Sequence, residues 1–452
     1  MFEGQMKTGT RSLLFSAVIA ACAFQASAQT GSEDWVAAAA EGVAPQVIDW
    51  RHHIHQHPEL GNQEVETSKL VAEQLRAFGI DVRTGVAKTG VVGVLKGGKP
   101  GPVMALRADM DALPVKEQTG LPFASHATAT WQGKKVDVMH ACGHDAHTAM
   151  LLGAAKVLAE NRDKIAGTVV FLFQPAEEGQ SDVDPYTSDK PLSYGAKGMI
   201  EEGALDNPKV DVVFGLHVMS GSPTGQLSWK SGAILNSADS YRITVTGRQS
   251  HGSMPWTGVD PITTAAQIIN GMQTLVSRRA DLTQGIGVVS VGNIHGGTAG
   301  NIIPNEVTME GTIRSNAPGI RDTLLQSLPP LAENIAKANQ AQAKVTIADG
   351  VPVTMNDDAL TRAMEPSLKK AASNKVVVLK SNASPSEDFS YYAEKVPGLF
   401  VFLGATPPDQ DMSKAASNHS PQFIVDDNTL VTGVRTHLRF VMDYPQTRSD
   451  KG

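Results

Sequence analysis

The sequence predicts an α/β fold in two parts: a mixed, largely parallel sheet domain, and a smaller α+β domain inserted into it. Three observations predict it. Near-continuous apolar runs at 167–174, 210–218 and 399–404 are of the kind required by strands buried on both faces. Each run leads to side chains of metal-ligating type, and open α/β sheets place their sites outside the carboxyl ends of strands. Between the second and third runs the texture changes to half-exposed strands and helices in the order β-α-β-β-α-β, a ferredoxin-like sequence of elements. The length of 452 residues agrees, since it exceeds what one growing core usually supports. The sheet domain is expected at 34–235 and 350–445, and the insertion at 236–349.

Ahead of the first helix, Lys7 and Arg11 precede an apolar run at 12–24, and Ala26-Ser27-Ala28 precedes Gln29. That layout is a cleaved export signal. Residues 1–28 are therefore expected to be removed, leaving a periplasmic or secreted protein. Ile19-Ala20-Ala21-Cys22 also fits a lipoprotein signal anchored through Cys22, but the apolar run continues past it, which favours cleavage after Ala28. Of two cysteines, cleavage leaves only Cys142, in a compartment where thiols normally pair. A metal holding it as thiolate accounts for a lone cysteine there.

Lys+Arg 39 against Asp+Glu 46 give a net charge of −7 with no basic block, which argues against nucleic acid as a partner. Beyond residue 30 no apolar stretch approaches the roughly 18 residues of a membrane span.

Residues 33–71 read as helices. His52, His53, His55 and His57 crowd a helix end that Pro58 stops, and their scattered spacing marks them as structural or solvated. Residues 67–78 form an amphipathic helix (Leu70, Val71, Leu75, Phe78) closed by Gly79. Short strands follow at 91–95 and 103–106. Asp109 and Asp111 come next, either orienting a ligand histidine from behind or solvated in a turn.

The segment 139–147, Met-His-Ala-Cys-Gly-His-Asp-Ala-His, packs three histidines, a thiol and an aspartate into nine residues. With Val136 and Val138 before it and an alanine-rich helical pattern at 149–160 after it, the segment is expected at the carboxyl end of a strand. Imidazole and thiolate suit zinc; the alternative is a turn with His140 and His147 merely packed or solvated. The strand at 167–174 ends in Pro175-Ala176-Glu177-Glu178-Gly179. Adjacent acids on an irregular segment point apart, so one can hold a metal while the other faces its water. His217 and His419 follow the later strands. Cys142, His144, Glu178, His217 and His419 are thus candidate ligands.

Inside the insertion, 241–247 alternates with period two, followed by a helix at 261–276, strands near 287–291 and 307–314, a helix at 320–338 and a strand at 344–348.

Eight motifs together resemble the amidohydrolase group of dinuclear zinc-peptidase relatives. That group includes hippurate hydrolases, plant auxin-amino-acid conjugate hydrolases and, more distantly, aminoacylases and glutamate carboxypeptidases. The motifs are His-x-x-Pro-Glu-Leu from His55, Arg-Ala-Asp-Met-Asp-Ala-Leu-Pro from Arg107, the 139–147 segment, Gln-Pro-Ala-Glu-Glu-Gly from Gln174, Gly-Leu-His-Val around His217, Ser-His-Gly-Ser-Met-Pro around His251, Gly-Gly-Thr-Ala-Gly-Asn-Ile-Ile-Pro around Asn301, and Ser-Glu-Asp-Phe from Ser386. The resemblance covers about 50–440. It implies two divalent metals, zinc first with manganese, nickel or cobalt as alternatives, held by Cys142, His144, Glu178, His217 and His419. It implies Glu177 as general base, and an inserted lid and dimerisation domain that brings His251, Asn301 and Arg314 over the substrate. The substrates implied are N-acyl or N-aroyl amino acids, related amides or short peptides, and the assembly a homodimer or higher homo-oligomer.

One departure is the segment 180–195. It looks longer than the matching turn in such relatives and directly follows Glu177-Glu178, so it bears on the substrate entrance.

A binding protein on the same scaffold would require a missing ligand or a missing Glu177, and none is missing. A Cys-His nucleophile at Cys142 lacks an accompanying oxyanion-hole motif.

Overall fold

The structure, a computed structural model, describes residues 34–179 and 193–449 together with Met1 and Tyr186. The expected export signal at 1–28, Cys22 within it, and most of the polar segment 180–195 lie outside the described residues. Among those described, no helix is long and apolar enough to cross a membrane.

Helix α1 (Trp35–Gln56) buries Val36, Ala40, Val43, Val47, Trp50 and Ile54, a stripe spaced by three and four as a one-faced helix requires. It ends two residues before Pro58. Helix α2 (Val65–Ala77) is followed by Gly79 in the left-handed region at φ +73°.

Strands β1 (Asp81–Val86), β2 (Gly90–Lys96) and β3 (Lys99–Asp109) begin the main sheet. A separate two-stranded hairpin, β4 (Thr128–Trp131) with β5 (Lys134–Asp137), precedes helix α3 (His144–Glu160). The chain continues with β6 (Ala166–Gln174), helix α4 (Gly195–Glu201), β7 (Val212–Pro223), β8 (Leu227–Trp229) and β9 (Gly232–Leu235).

The inserted unit follows: β10 (Ser237–Thr246), β11 (Ser250–His251), α5 (Pro261–Thr274), β12 (Gly287–Gly296), β13 (Ile302–Ile303), β14 (Glu306–Ser315), α6 (Pro318–Ala338) and β15 (Gln342–Val351). The chain then returns through β16 (Thr354–Asn356), α7 (Asp358–Ala371), β17 (Val376–Val378), α8 (Phe389–Ala393), β18 (Gly398–Thr406) and α9 (Leu430–Ser449).

The eight-stranded sheet has the order β1-β2-β6-β3-β7-β18-β8-β17. Its centre, β6-β3-β7-β18, is parallel throughout. Strand β6 shows why the apolar runs are continuous. Val169, Phe171 and Phe173 pack into the core that includes α1, α3 and α9 residues, while Val170 and Leu172 pack on the other face with Ala196, Met199 and Phe389. Neither face meets water, so neither set can be polar. The four central strands run the same way, so that Asp109 and Gln174 pair at the ends of β3 and β6 while His217 pairs with Phe402 within β7 and β18.

The insertion forms a four-stranded antiparallel sheet in the order β12-β14-β10-β15, the ferredoxin-like arrangement that β-α-β-β-α-β suggests. On β10, Ser237, Asp239, Tyr241, Ile243 and Val245 are buried and the intervening residues are not. Tyr241, Ile243 and Val245 face Ile268 and Met272 of α5 and Leu324 and Leu328 of α6 in a separate core.

One expectation needs correction. The apolar positions Val136 and Val138 do not belong to a main-sheet strand delivering 139–147; β5 pairs only with β4. An apolar pair four residues long cannot distinguish a sheet strand from a hairpin arm packed over the sheet edge. Cys142 and His144 instead come from the N-terminal end of a buried helix. His217 likewise lies within β7, which runs on to Pro223, rather than at its end.

Candidate metal centre

Cys142 and His144 flank Gly143, whose φ is +98° and whose missing Cβ would sit 2.2 Å from Val218 Cγ2. Only glycine tolerates both the conformation and the approach. Helix α3 starts at once, and its first-turn residues His144, Asp145 and His147 are all buried. His144 Nδ1 donates to the Asp111 carbonyl at 2.8 Å, with Asp111 Oδ1 at 3.2 Å. Nδ1 therefore carries a proton, and the buried Nε2, 3.8 Å from Asp109 Oδ2, makes no hydrogen bond. A cation is the partner that such a nitrogen fits.

Strand β6 delivers Glu177 and Glu178 on a tight turn that starts at Ala176, with φ +50°. Glu178 N donates to Asp111 Oδ2 at 2.9 Å, so one aspartate orients two candidate ligands. His217 Nδ1 donates to Val218 O at 2.7 Å, which again leaves Nε2 free as an acceptor. His419 arrives on the loop after β18, itself at φ +70°, with its N–H donating to Ala141 O at 2.7 Å. Asn418 ties these segments together. Its Nδ2 donates to Cys142 O and Val218 O at 3.1 Å each, and its Oδ1 accepts from Ser220 N.

Cys142 Sγ lies 3.3 Å from both His217 Nε2 and His419 Nε2, and His419 Nε2 lies 2.9 Å from Glu178 Oε1. Two groups with ligand atoms within 4.8 Å of one another share the thiol: Cys142-His144-His217 and Cys142-Glu178-His419. A third, His144-Glu177-Glu178, joins them. Thiolate, imidazole and carboxylate in this arrangement can bind divalent metal.

The donor groups perturb one another strongly: burial and the Glu178 charge raise the Cys142 thiol, and, against burial, the Asp109 and Cys142 charges raise His144 well above the usual imidazole range. Burial, then the charges of Glu387, Glu178 and Asp388, push Glu177 well above the usual carboxylate range. Burial also raises Glu178, but the His419 hydrogen bond and charge outweigh it and hold its pKa low. Hydrogen bonds to Cys142 and Glu178 lift His419 to about 10. Burial, with His147 adding to it, pushes His217 well down. Behind the cluster the fully buried Arg107 binds Asp109 at 2.6 Å, Glu387 at 2.8 Å and Asp388 at 2.9 Å, fixing the acids below Glu177.

The open alternatives now separate. Asp109 and Asp111 are buried, not solvated, and both orient histidines. His147 has both nitrogens engaged, Nδ1 donating to Asp109 Oδ1 at 2.6 Å and Nε2 accepting from Val218 N at 2.8 Å, so it supports the site without a lone pair to offer. His140 is packed, with neither ring nitrogen hydrogen-bonded. His55 is structural, between Asp145 at 2.9 Å and Glu117 at 3.1 Å.

Arg314, the last residue but one of β14, donates to Oγ of Ser386, a residue of the cavity wall, at 3.4 Å. His251 and Asn301 lie together on the insertion, where Gly252 N donates to Asn301 O, but both are exposed and neither lines the cavity at the cluster. Their motifs mark them as a unit.

The family model for peptidase family M20/M25/M40 matches residues 105–443. The chain belongs to this family. It is 38% identical over 386 residues to N-acetyl-L-cysteine deacetylase of Bacillus subtilis, covering 85% of each chain. It is 36% identical to IAA-amino acid hydrolase ILR1-like 2 of Arabidopsis thaliana, covering 90% of this chain and 88% of the other. Among solved structures it resembles Bacillus subtilis YXEP, a dinuclear metal binding peptidase from the M20 family. The TM-score is 0.72 at 33% identity, over 90% of this chain and 99% of that one. As an M20 member it is a metal-dependent amide-bond hydrolase, with the family's sheet domain and lid.

Proposed function

We propose that this hydrolase cleaves the amide bond of N-acyl or N-aroyl amino acids, with Cys142, His144, Glu178, His217 and His419 holding two divalent ions and Glu177 acting as general base. The observation that carries this reading is the cavity at the cluster, about 180 Å³ in volume. Beside Cys142, Glu177, Glu178, His217 and His419, its lining includes Met219, Leu235, Pro385, Phe400 and Phe402, with Ser386, Glu387 and Asn418 completing it. An apolar cavity of about 150 Å³ accepts benzene, so this wall suits acyl groups up to benzoyl size beside the reacting carbonyl.

Ions held by these residues, zinc first by ligand chemistry and otherwise manganese, nickel or cobalt, would supply Lewis acidity to lower the pKa of a coordinated water and polarise the carbonyl. Glu177 takes the proton of the attacking water and delivers it to the departing amine. Arg314 grips the substrate carboxylate. His251 and Asn301 stabilise the developing oxyanion once the insertion, or a second copy of it, brings them over the cavity. Turnover of a panel of acetyl, benzoyl and indolylacetyl amino acids beside matched dipeptides tests the assignment. Faster cleavage of every dipeptide would replace it with a peptidase reading.

Cys142→Ser should lower metal content and activity together, because a serine hydroxyl is a poor ligand at neutral pH beside a thiolate. A chelator should abolish turnover and expose Cys142 to thiol reagents. Full metal occupancy and full activity of the serine variant would remove Cys142 from the ligand set.

The insertion is also proposed as a pairing surface for a homodimer or higher homo-oligomer. Its edge strand β12 is exposed at Val288 and Ile294, and Trp256, Met254 and Ile302 are exposed beside His251. Exposed apolar groups along the open edge of a sheet favour association. Sedimentation should show a dimer at micromolar protein, and a fully active monomer would reject the pairing. Export, on the strength of 1–28, completes the proposal; a mature protein beginning at Gln29 would support it.

A further inference from the structure

Glu64 is fully buried and has no part in the reaction above, nor does it cap the helix it precedes. Capping of α2 falls to Glu59, whose carboxylate accepts the N–H groups of Val65, Glu66 and Thr67. Glu64 turns inward instead. Its Oε1 accepts the Ala176 N–H at 2.8 Å and its Oε2 accepts the Thr89 hydroxyl at 2.5 Å.

Ala176 immediately precedes Glu177-Glu178. Its φ of +50° is one that a non-glycine residue keeps only where its surroundings hold it. The same turn is pressed from α2's side by Gly61, where a Cβ would lie 2.2 Å from Gly179 O. Asp111 fixes the far end through the Glu178 N–H.

We propose that Glu64 is a positioning residue for Glu177 and Glu178: by holding the Ala176 N–H it sets the directions in which the two acids leave the turn. The proposal rests on the reading of Glu177 as general base and Glu178 as ligand. Burial, and then the Asp111 charge, raise Glu64 to about 7, so an uncharged glutamine stays close to the native group. Its amide oxygen can still accept from Ala176, while its amino group donates to a rotated Thr89 hydroxyl. Aspartate keeps the carboxyl but falls one methylene short.

The test compares Glu64→Gln, Glu64→Asp and Glu64→Ala in the native and Glu177→Gln backgrounds. It reads kcat, KM for an N-acetyl amino acid, metal content per chain and thermal midpoint. Glu64→Asp and Glu64→Ala should lower kcat roughly 10–100-fold, the scale for a catalytic group displaced by about an ångström. KM should move little, and Glu64→Gln should stay within a factor of about 2 of the native enzyme. The Glu178 position should show as weakened metal retention in the Asp and Ala variants and not in the Gln variant. With metal kept saturating, Glu64→Asp in the Glu177→Gln background should add little further loss of kcat, because the base it positions is gone. If Glu64→Ala fails to fold, the contrast of Asp with Gln decides. Equal losses for Asp and Gln, no loss for Asp, or a full-size loss in the Glu177→Gln background would overturn the positioning role and leave the general-base reading standing. Full activity of Glu177→Gln alone would reject that reading and the positioning role with it.

Discussion

Glu177→Gln is expected to retain its metals and lose roughly 10²–10⁴ in kcat, the usual worth of a positioned general base. The substitution is nearly isosteric and removes the only feature the role requires, a carboxylate that can accept a proton. Metal content is the discriminating measurement, because Glu177 also stands in a potential ligand group with His144 and Glu178. Glu178 contacts His419 at 2.9 Å, whereas Glu177 Oε1 has a 3.4 Å bond from Asp388 N. The stability of the metal-free protein offers an independent check. A carboxyl whose pKa is raised by folding destabilises the fold when ionised, and burial, then the charges of Glu387, Glu178 and Asp388, raise that of Glu177. At neutral pH, above its unfolded value, the neutral glutamine should therefore make the apo fold at least as stable as the native one. Loss of metal from Glu177→Gln, with retention in Glu178→Gln, would exchange the two roles.

How much of this centre the sequence discloses follows from how each residue is held. Cys142, His144, Glu178 and His217 stand in motifs beside apolar runs, and strand burial on two faces leaves few other places for such side chains. The aspartates at 109 and 111 stay ambiguous in sequence because a solvated turn acid and a buried orienting acid look alike. Their difference is the imidazole each meets, 38 and 33 positions further along the chain. Asn418 and Glu64 leave no periodic or motif signal at all. Asn418 acts by bridging backbone groups at 142, 218 and 220, and Glu64 by reaching a backbone N–H 112 positions away. Contacts to backbone carry no residue type on the receiving side, so one sequence cannot reveal them. That Val136 lies in a hairpin arm and not in a main-sheet strand is hidden for a related reason: two valines fix a period of two but not which strand they pair with.

Arg314→Ala is expected to damage hydrolysis of N-acyl amino acids by about 2–4 kcal/mol, the scale for losing one partner of a desolvated charge pair. From sequence, an arginine ending a strand is most simply a surface cation paired with a nearby acid. The structure removes that pairing: among the described residues, no carboxylate lies within ion-pair distance of Arg314. Asp239, the acid whose charge it feels, is bound by Arg321 through two bonds of 2.8 and 2.7 Å. Arg314 is partly buried, and among the described residues its side chain makes one hydrogen bond, a long one to Ser386 of the cavity wall. A guanidinium left with donors to spare beside the reacting site suits a carboxylate, which its planar fork binds through two parallel hydrogen bonds. Because the group is only half withdrawn from water, the lower end of the range is expected. The loss should fall on substrates with a free carboxylate and spare the corresponding amides, since an amide offers no charge to lose. Kinetics on matched free and amide-blocked pairs read this directly. An equal loss on both members of each pair would mean that Arg314 holds the insertion against the sheet domain through Ser386, and the preference for free carboxylates would have to come from another cation.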